Sequence, residues 1–271
     1  MRKAAALVLA LGVVVIAGCR PSGSARTALT VRGGPLLRSV FTEIGSAFSS
    51  QHPEIDLRSD FSCPPCVLTS KIREGIDLDV FVSAGDVELD ALAKEGVVDR
   101  STRRPIGTAQ LVLVVPAGNP AGVHSLGDLH RAKVTNIALG DTETTSPGHY
   151  TRQAFERMGL WEEIKAKLLM TKTGCEALKS VAIGKADAAV LYAFCLDDES
   201  GKPQVVAKIP PQLHEPIILS ATLAPRAPKP AATEFVDFLQ SPAAQQILWK
   251  HNIGPVAAEK RGTEPFSRKA R

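Results

Sequence analysis

Short apolar runs alternate with longer amphipathic segments along almost the whole chain. The runs at 28–31, 55–60, 79–83, 111–115, 135–139, 187–192, 204–208 and 217–223 have the length and character of strands. Between the first two, Leu37, Val40, Phe41, Ile44 and Phe48 recur at helical spacing and predict a helix over 36–50, which His52-Pro53 stops. Further helices are expected over 67–74, 86–94, 125–130, 149–158, 160–168, 173–183, 231–239 and 242–251. Asp86 and Thr173 stand where N-caps belong, Glu176 completes a capping box with Thr173, and Gly96 and Gly184 mark helix ends. The unbroken run Leu111 to Val115 is the pattern of a strand covered on both faces.

Strands that alternate with helices predict an α/β fold with mostly parallel sheets. In such sheets ligands bind beyond the carboxyl ends of the strands. Four strand-to-helix junctions therefore carry the candidate chemistry: Gly33-Gly34, Cys63-Pro64-Pro65-Cys66, Ser146-Pro147-Gly148, and Cys195 just after the strand that ends at Tyr192. Cys175 falls in the first turn of its own helix. All four of these cysteines thus sit at ligand-facing ends, not in mid-element positions where a packing cysteine usually lies. Cys66 and Cys175 start helices, which favours the thiolate.

Composition adds the compartment. Met1-Arg2-Lys3, an apolar stretch from Ala4 to Ala17 and Gly18-Cys19 form a secretory signal too short to span a membrane. The phrase Val15-Ile16-Ala17-Gly18-Cys19 resembles a bacterial lipobox, which implies cleavage before Cys19, lipid attachment to its sulfur and a polar tether over 19–27. The exported part, about 250 residues, suits one large domain or two lobes. The formal charge of +4 falls by two units with Arg2 and Lys3, and no basic stripe with interleaved aromatics points to nucleic acid. The tail over 265–271 is expected to be loose and basic. Of five cysteines, Cys63, Cys66, Cys175 and Cys195 remain after Cys19. In an exported protein an even number reads first as disulfides, here Cys63–Cys66 and Cys175–Cys195, but a body this large needs no staples. A metal site and a thiol–disulfide exchange motif are the other readings, although no thioredoxin-like order of elements surrounds Cys63-Pro64-Pro65-Cys66. No Ser-His-Asp order, phosphate loop or carboxylate pair marks an enzyme.

The phrases Asp79-Val80-Phe81-Val82-Ser83-Ala84, Gly96-Val97-Val98-Asp99, Leu111-Val112-Leu113-Val114-Val115-Pro116, Gly118-Asn119-Pro120, Ile137-Ala138-Leu139-Gly140-Asp141, Gly159-Leu160-Trp161 and Ser241-Pro242-Ala243-Ala244-Gln245 run through residues 28–254. In them the chain resembles the periplasmic molybdate-binding proteins of bacterial ABC importers. The resemblance implies a type II two-lobed solute-binding fold with two crossover hinge strands. Lobe one is expected over 28–108 plus 200–264 and lobe two over 109–199. It also implies no enzymatic activity, no catalytic cofactor, a permease as partner, a small inorganic ligand, and a monomer held at the periplasmic or extracellular side by its lipid.

The pocket departs from the resembled pattern. Leu36, in Gly34-Pro35-Leu36-Leu37, stands where the family has an oxyanion-binding serine, and Cys63 to Cys66 replace a serine-rich turn. Pro147 stands where an alanine N–H would bind, and proline has no N–H. Gly174 and Tyr192 match pocket positions, with Cys175 and Cys195 one and three residues beyond. Gly34, Pro147, Gly174 and Tyr192 are therefore the expected pocket residues, and Cys63, Cys66, Cys175 and Cys195 the expected ligands of a thiophilic metal ion or metalloid. The alternatives are molybdate or tungstate binding with the cysteines as disulfides, and a membrane-tethered thiol oxidoreductase. His149, after the central loop, is either a fifth ligand or a solvated histidine at a helix start.

Overall fold

The computed structural model describes residues 26–63, 65–198, 203–225 and 230–256. The expected signal, Cys19, most of the expected tether and the expected loose tail lie outside the described residues. In chain order the elements are β1 (Thr27–Gly33), α1 (Arg38–Gln51), β2 (Ile55–Asp60), α2 (Pro65–Arg73), β3 (Val80–Ala84), α3 (Val87–Lys94), β4 (Arg104–Thr108), β5 (Leu111–Val115), β6 (Ile137–Gly140), α4 (Ser146–Arg157), α5 (Trp161–Ile164), β7 (Leu168–Thr171), α6 (Gly174–Ala182), β8 (Ala188–Tyr192), β9 (Gln204–Lys208), β10 (Ile218–Leu223), α7 (Pro230–Phe238) and α8 (Pro242–Lys250). Short 3-10 turns connect several of them.

Two five-stranded sheets result, ordered β2-β1-β3-β10-β4 and β7-β6-β8-β5-β9. Each is mixed. β1 is parallel to β2 and β3, and β6 is parallel to β7 and β8, but β10 runs antiparallel to β3 and β4, and β5 antiparallel to β8 and β9. The expectation of mostly parallel sheets is met only in the βαβ halves, because each chain crossing delivers a strand in the reverse direction. The two-lobed α/β architecture is as expected, but the lobe boundary needs a correction. Residues from 200 onward were assigned to lobe one, whereas β9 is hydrogen-bonded to β5 in the second sheet, so the chain returns only after Lys208.

The pattern of burial explains most elements. Val40, Phe41, Ile44 and Phe48 bury one face of α1, where Phe48 meets Phe235 and Phe238 of α7 edge-on at 5.0 and 5.3 Å. All five residues of β5 are buried. Two strands went unpredicted. β4 contains Pro105, which reads as a strand breaker yet is tolerated because β4 is an edge. β7 is another edge, four residues long, and its apolar start was read as the end of a helix over 160–168. The helix there is only α5, followed by a 3-10 turn at Lys165–Lys167.

The two crossings are tied together. Ala109 N–H donates to Ile217 O at 2.9 Å, and Ile209 N–H donates to Leu111 O at 2.9 Å. The Gln110 amide spans both segments, donating to Leu111 O at 2.9 Å and Ile209 O at 2.7 Å. Thr108 and Gly254 exchange two backbone bonds, which pins the end of the last helix to the first crossing. Gln110→Ala removes the side-chain staple from partly buried carbonyls. It is expected to lower the unfolding free energy by about 1–2 kcal/mol with an unchanged denaturant slope, measured by urea titration. An unaltered midpoint would show that the backbone bonds alone hold the hinge.

Candidate functional site

The carboxyl ends of β1, β3, β6 and β8 and the starts of the following helices surround one small cavity between the lobes. It measures about 50 Å³, and its wall includes Gly34, Leu36, Leu68, Phe81 and Glu88 from one lobe and Pro147, Lys172, Gly174 and Tyr192 from the other. All four expected pocket residues, Gly34, Pro147, Gly174 and Tyr192, are thus on its wall.

Each wall segment is set by local chemistry. Beyond β1 a 3-10 turn at Pro35–Leu37 carries the Leu36 side chain across the gap. Its two methyls lie 3.2 and 3.6 Å from the point a Gly174 Cβ would occupy, and Cys195 Sγ lies 3.7 Å from the same point. The absence of a side chain at Gly174 is what lets Leu36 seat there. At the start of α4, Asp141 accepts from the N–H groups of Glu143 and Thr144 and from the Thr144 hydroxyl, and these bonds hold its carboxyl below the usual range. Thr145 caps α4 by accepting from Gly148 N–H at 3.2 Å. Gly148 leaves no room for more: an added Cβ would stand 2.2 Å from Gly140 O and 2.4 Å from Asp141 O.

The first turn of α4 has no N–H left for an anion. Ser146 N–H donates to Glu88 at 3.1 Å, Pro147 has none, Gly148 N–H goes to Thr145 Oγ1, and His149 N–H goes to Thr145 O at 2.9 Å. The phenol of Tyr192 is also engaged: its hydroxyl donates to Ala84 O of the other lobe at 2.9 Å. Burial pushes this phenol well above its ordinary pKa, and burial likewise lifts the neighbouring Tyr150 to about 12. One lining hydroxyl, Ser83 Oγ on β3, is buried without a hydrogen-bond partner. Glu88 was not singled out in the sequence, where a glutamate in the first turn of an amphipathic helix reads as surface; the residue is 8% exposed. Burial raises its carboxyl pKa despite the two hydrogen bonds from Ser146.

Among the described side chains, Cys63, Cys175 and Cys195 do not line the cavity. Cys63, half-buried, is a free thiol that packs against the small core cluster containing Leu68 and Phe81 and accepts from Lys71 Nζ at 3.3 Å, so the expected Cys63–Cys66 disulfide is not formed. Cys66 falls in the first turn of α2, its side chain outside the described ones. Cys175 is exposed on α6 and Cys195 is buried behind Leu36 and Gly174. Among the described residues, Cys63, Cys175 and Cys195 do not converge on one point. The one grouping of ligand atoms within 4.8 Å there is His52, Glu54 and Glu234, around the end of α1, away from the cavity wall. A four-sulfur cluster needs these segments to move, because α6 aims Cys175 outward and Leu36 stands beside Cys195. His149 does not line the cavity; its ring meets Tyr150 edge-on at 5.4 Å and Gln153 at 3.1 Å. Two expected caps are built differently. Thr173 caps α6, but Glu176 accepts from Lys172 N–H one residue early, and the Asp86 carboxylate pairs with Arg103 and makes no side-chain cap bond.

Residues 29–251 match the family described as bacterial extracellular solute-binding protein. A Bacillus subtilis (strain 168) protein named as an ABC transporter substrate-binding lipoprotein is 25% identical over 248 residues, 89% of this chain and 93% of that protein. The molybdate-binding protein ModA of Haemophilus influenzae is 23% identical over 240 residues, 87% of this chain and 93% of that protein. The solved periplasmic molybdate-binding protein of Azotobacter vinelandii superposes with a TM-score of 0.70 at 18% identity, covering 84% of this chain and all of that one, a likeness of fold.

Because Gly148 sits against backbone that cannot give way, Gly148→Ala is expected to destabilise the protein by about 1–3 kcal/mol. Thermal unfolding of the purified variant measures this; an unshifted midpoint would mean that α4 can draw back from β6 at no cost.

Proposed function

We propose, since this chain belongs to the bacterial extracellular solute-binding protein family, that it is the capture component of an ABC importer and works with a membrane permease. Its solute is a small thiophilic metal or metalloid species, not a tetrahedral oxyanion. The observation that carries this reading is the donor inventory at the cleft: every N–H of the first α4 turn is spent or missing, and Leu36 fills space where a hydroxyl would be needed. Oxyanion sites in proteins rest on such N–H groups at helix starts. Thiol sulfur remains as the soft donor nearby. Cys63 and Cys66 lie three residues apart in sequence, a spacing suited to gripping one soft ion, and Cys195 lies in the second lobe beside Leu36 and Gly174. Cys175 completes the set of four when the α6 start turns inward. The lipobox at Cys19 fits a lipid-anchored protein on the outer side of the membrane, as the name of the Bacillus relative suggests for that protein.

Molybdate is the second reading, favoured by the names of the relatives and by the unpartnered Ser83 hydroxyl and Lys172 on the cavity wall. The two readings separate in one experiment on reduced, anaerobically purified protein, with copper(I), arsenite and molybdate as probes in thermal-shift and elemental measurements. A probe present at about a hundredfold its dissociation constant is expected to raise the unfolding midpoint by about 5–10 °C. Copper(I) or arsenite is expected to do so, molybdate is not, and the Cys63→Ser/Cys66→Ser variant is expected to lose the response while keeping its solute-free midpoint. A molybdate shift retained in that variant would overturn the thiophilic reading.

A further inference from the structure

Among the described residues, Glu88 is the one acidic group on the cavity wall, and it stands at the contact of the two lobes. It belongs to the first turn of α3 in the first lobe, yet both of its partners are on α4 in the second. Ser146 N–H donates to Oε1 at 3.1 Å, and Ser146 Oγ is hydrogen-bonded to Oε2. The same hydroxyl accepts from Val87 N–H at 3.3 Å, so the first turns of two helices interlock through one serine. The lobes meet here more closely than an ordinary side chain allows. A Cβ on Gly85 would lie 2.6 Å from Ser146 Cβ and 2.9 Å from the Tyr150 ring, and φ at Gly85 is +110°. Ser146 itself is fully buried.

Among the described residues, no cation forms an ion pair with this carboxyl. Asp86, two residues earlier, pairs with Arg103 and adds negative charge nearby. Tyr192 of β8 and Tyr150 of α4 face the same contact as neutral phenols. Lys172 stands on the opposite wall, and no ion pair joins it to Glu88 among the described residues. Around the outer side of α3, Lys71 and Arg73 of α2 turn to Cys63 and Glu95, and Arg100 turns to Asp90. A buried carboxylate without a paired cation is costly, whereas the neutral acid keeps both bonds to Ser146.

We propose that Glu88 is a proton-operated latch on lobe closure: as a neutral acid it ties α3 to the start of α4, and as a carboxylate it favours the open cleft. In the open protein the same carboxyl faces water and titrates as an ordinary glutamic acid. Closure between the ordinary glutamate range and the higher value of the closed state therefore takes up one proton. The closed state gains as pH falls through that window and gains nothing more below the open-state value. The device acts on closure itself and does not depend on which solute the cleft takes.

The test uses solute-free protein, so its outcome is separate from that of the probe experiment. Fluorophores attached through click-reactive residues in place of exposed Lys94 and Lys133, one on each lobe, leave the native thiols untouched. The closed-to-open ratio of the wild type is expected to rise, by up to about tenfold per unit, as pH is lowered from about 7.5 to about 5. Glu88→Gln, a neutral amide of the same shape, is expected to be closed throughout, with less than about a twofold change per unit. An unchanged slope in Glu88→Gln, or a variant that stays open, would overturn the latch. Carboxyl-carbon NMR of the unaltered protein gives a second reading that needs no variant at this position: the Glu88 midpoint is expected above the ordinary glutamate range, and an ordinary midpoint refutes the proposal.

Discussion

Two passes of the chain between its sheets constrain everything else in this protein. At Ala109-Gln110 and again between Ile209 and Ile217 the backbone leaves one hydrogen-bonded layer for the other, and the two passes are bonded to each other. One consequence is topological. Each pass sends a strand in reverse beside a parallel set, which makes both sheets mixed. The other is functional. With the sheets joined along one side, the carboxyl ends of β1, β3, β6 and β8 face a common gap, and residues from six separate parts of the sequence become neighbours. Hinge-type proteins gain specificity this way, because contacts from both lobes are complete only when the gap is shut.

In this gap the physics of helix starts is redirected. An unencumbered helix N-terminus offers backbone N–H groups and a partial positive charge to an anion. The α4 start gives its first N–H to a glutamate of the other lobe, has a proline next, and spends the rest on Thr145. The tyrosine hydroxyl that faces the cavity is likewise committed to Ala84 O. Polar groups that could have served a ligand serve lobe contact instead, while Leu36, Leu68 and Phe81 give the wall an apolar character. On the proposed reading, such a cleft would disfavour a strongly hydrated dianion, because desolvation would be poorly repaid.

Much of the candidate site was legible in the sequence because it follows strand ends. Gly34, Pro147, Gly174 and Tyr192 were placed by the succession of strands and by family resemblance, and they meet at one cavity. Glu88 was not legible. Its local pattern is that of any first-turn glutamate, and its significance comes from Ser146, fifty-eight residues away in sequence. The convergence of the cysteines was overstated for a related reason. Strand order puts Cys63, Cys175 and Cys195 near one mouth, but side-chain direction is decided by helix phase and packing, which turn Cys175 to solvent and bury Cys195 behind Leu36.

By itself the sequence determined the alternation of strands and helices, the fully covered strand β5, the cap at Thr173, and the loss of an N–H at Pro147. Each of these depends on periodicity or on a residue's own covalent structure. Tertiary structure alone decided that β4 and β7 are strands, that β9 stays in the second sheet, that Tyr192 donates across the cleft and that Glu88 is buried. Short edge strands are stabilised by the neighbour they pair with, and a group's protonation is set by the solvent it loses. Neither the neighbour nor the lost solvent is present until the two lobes have folded and met.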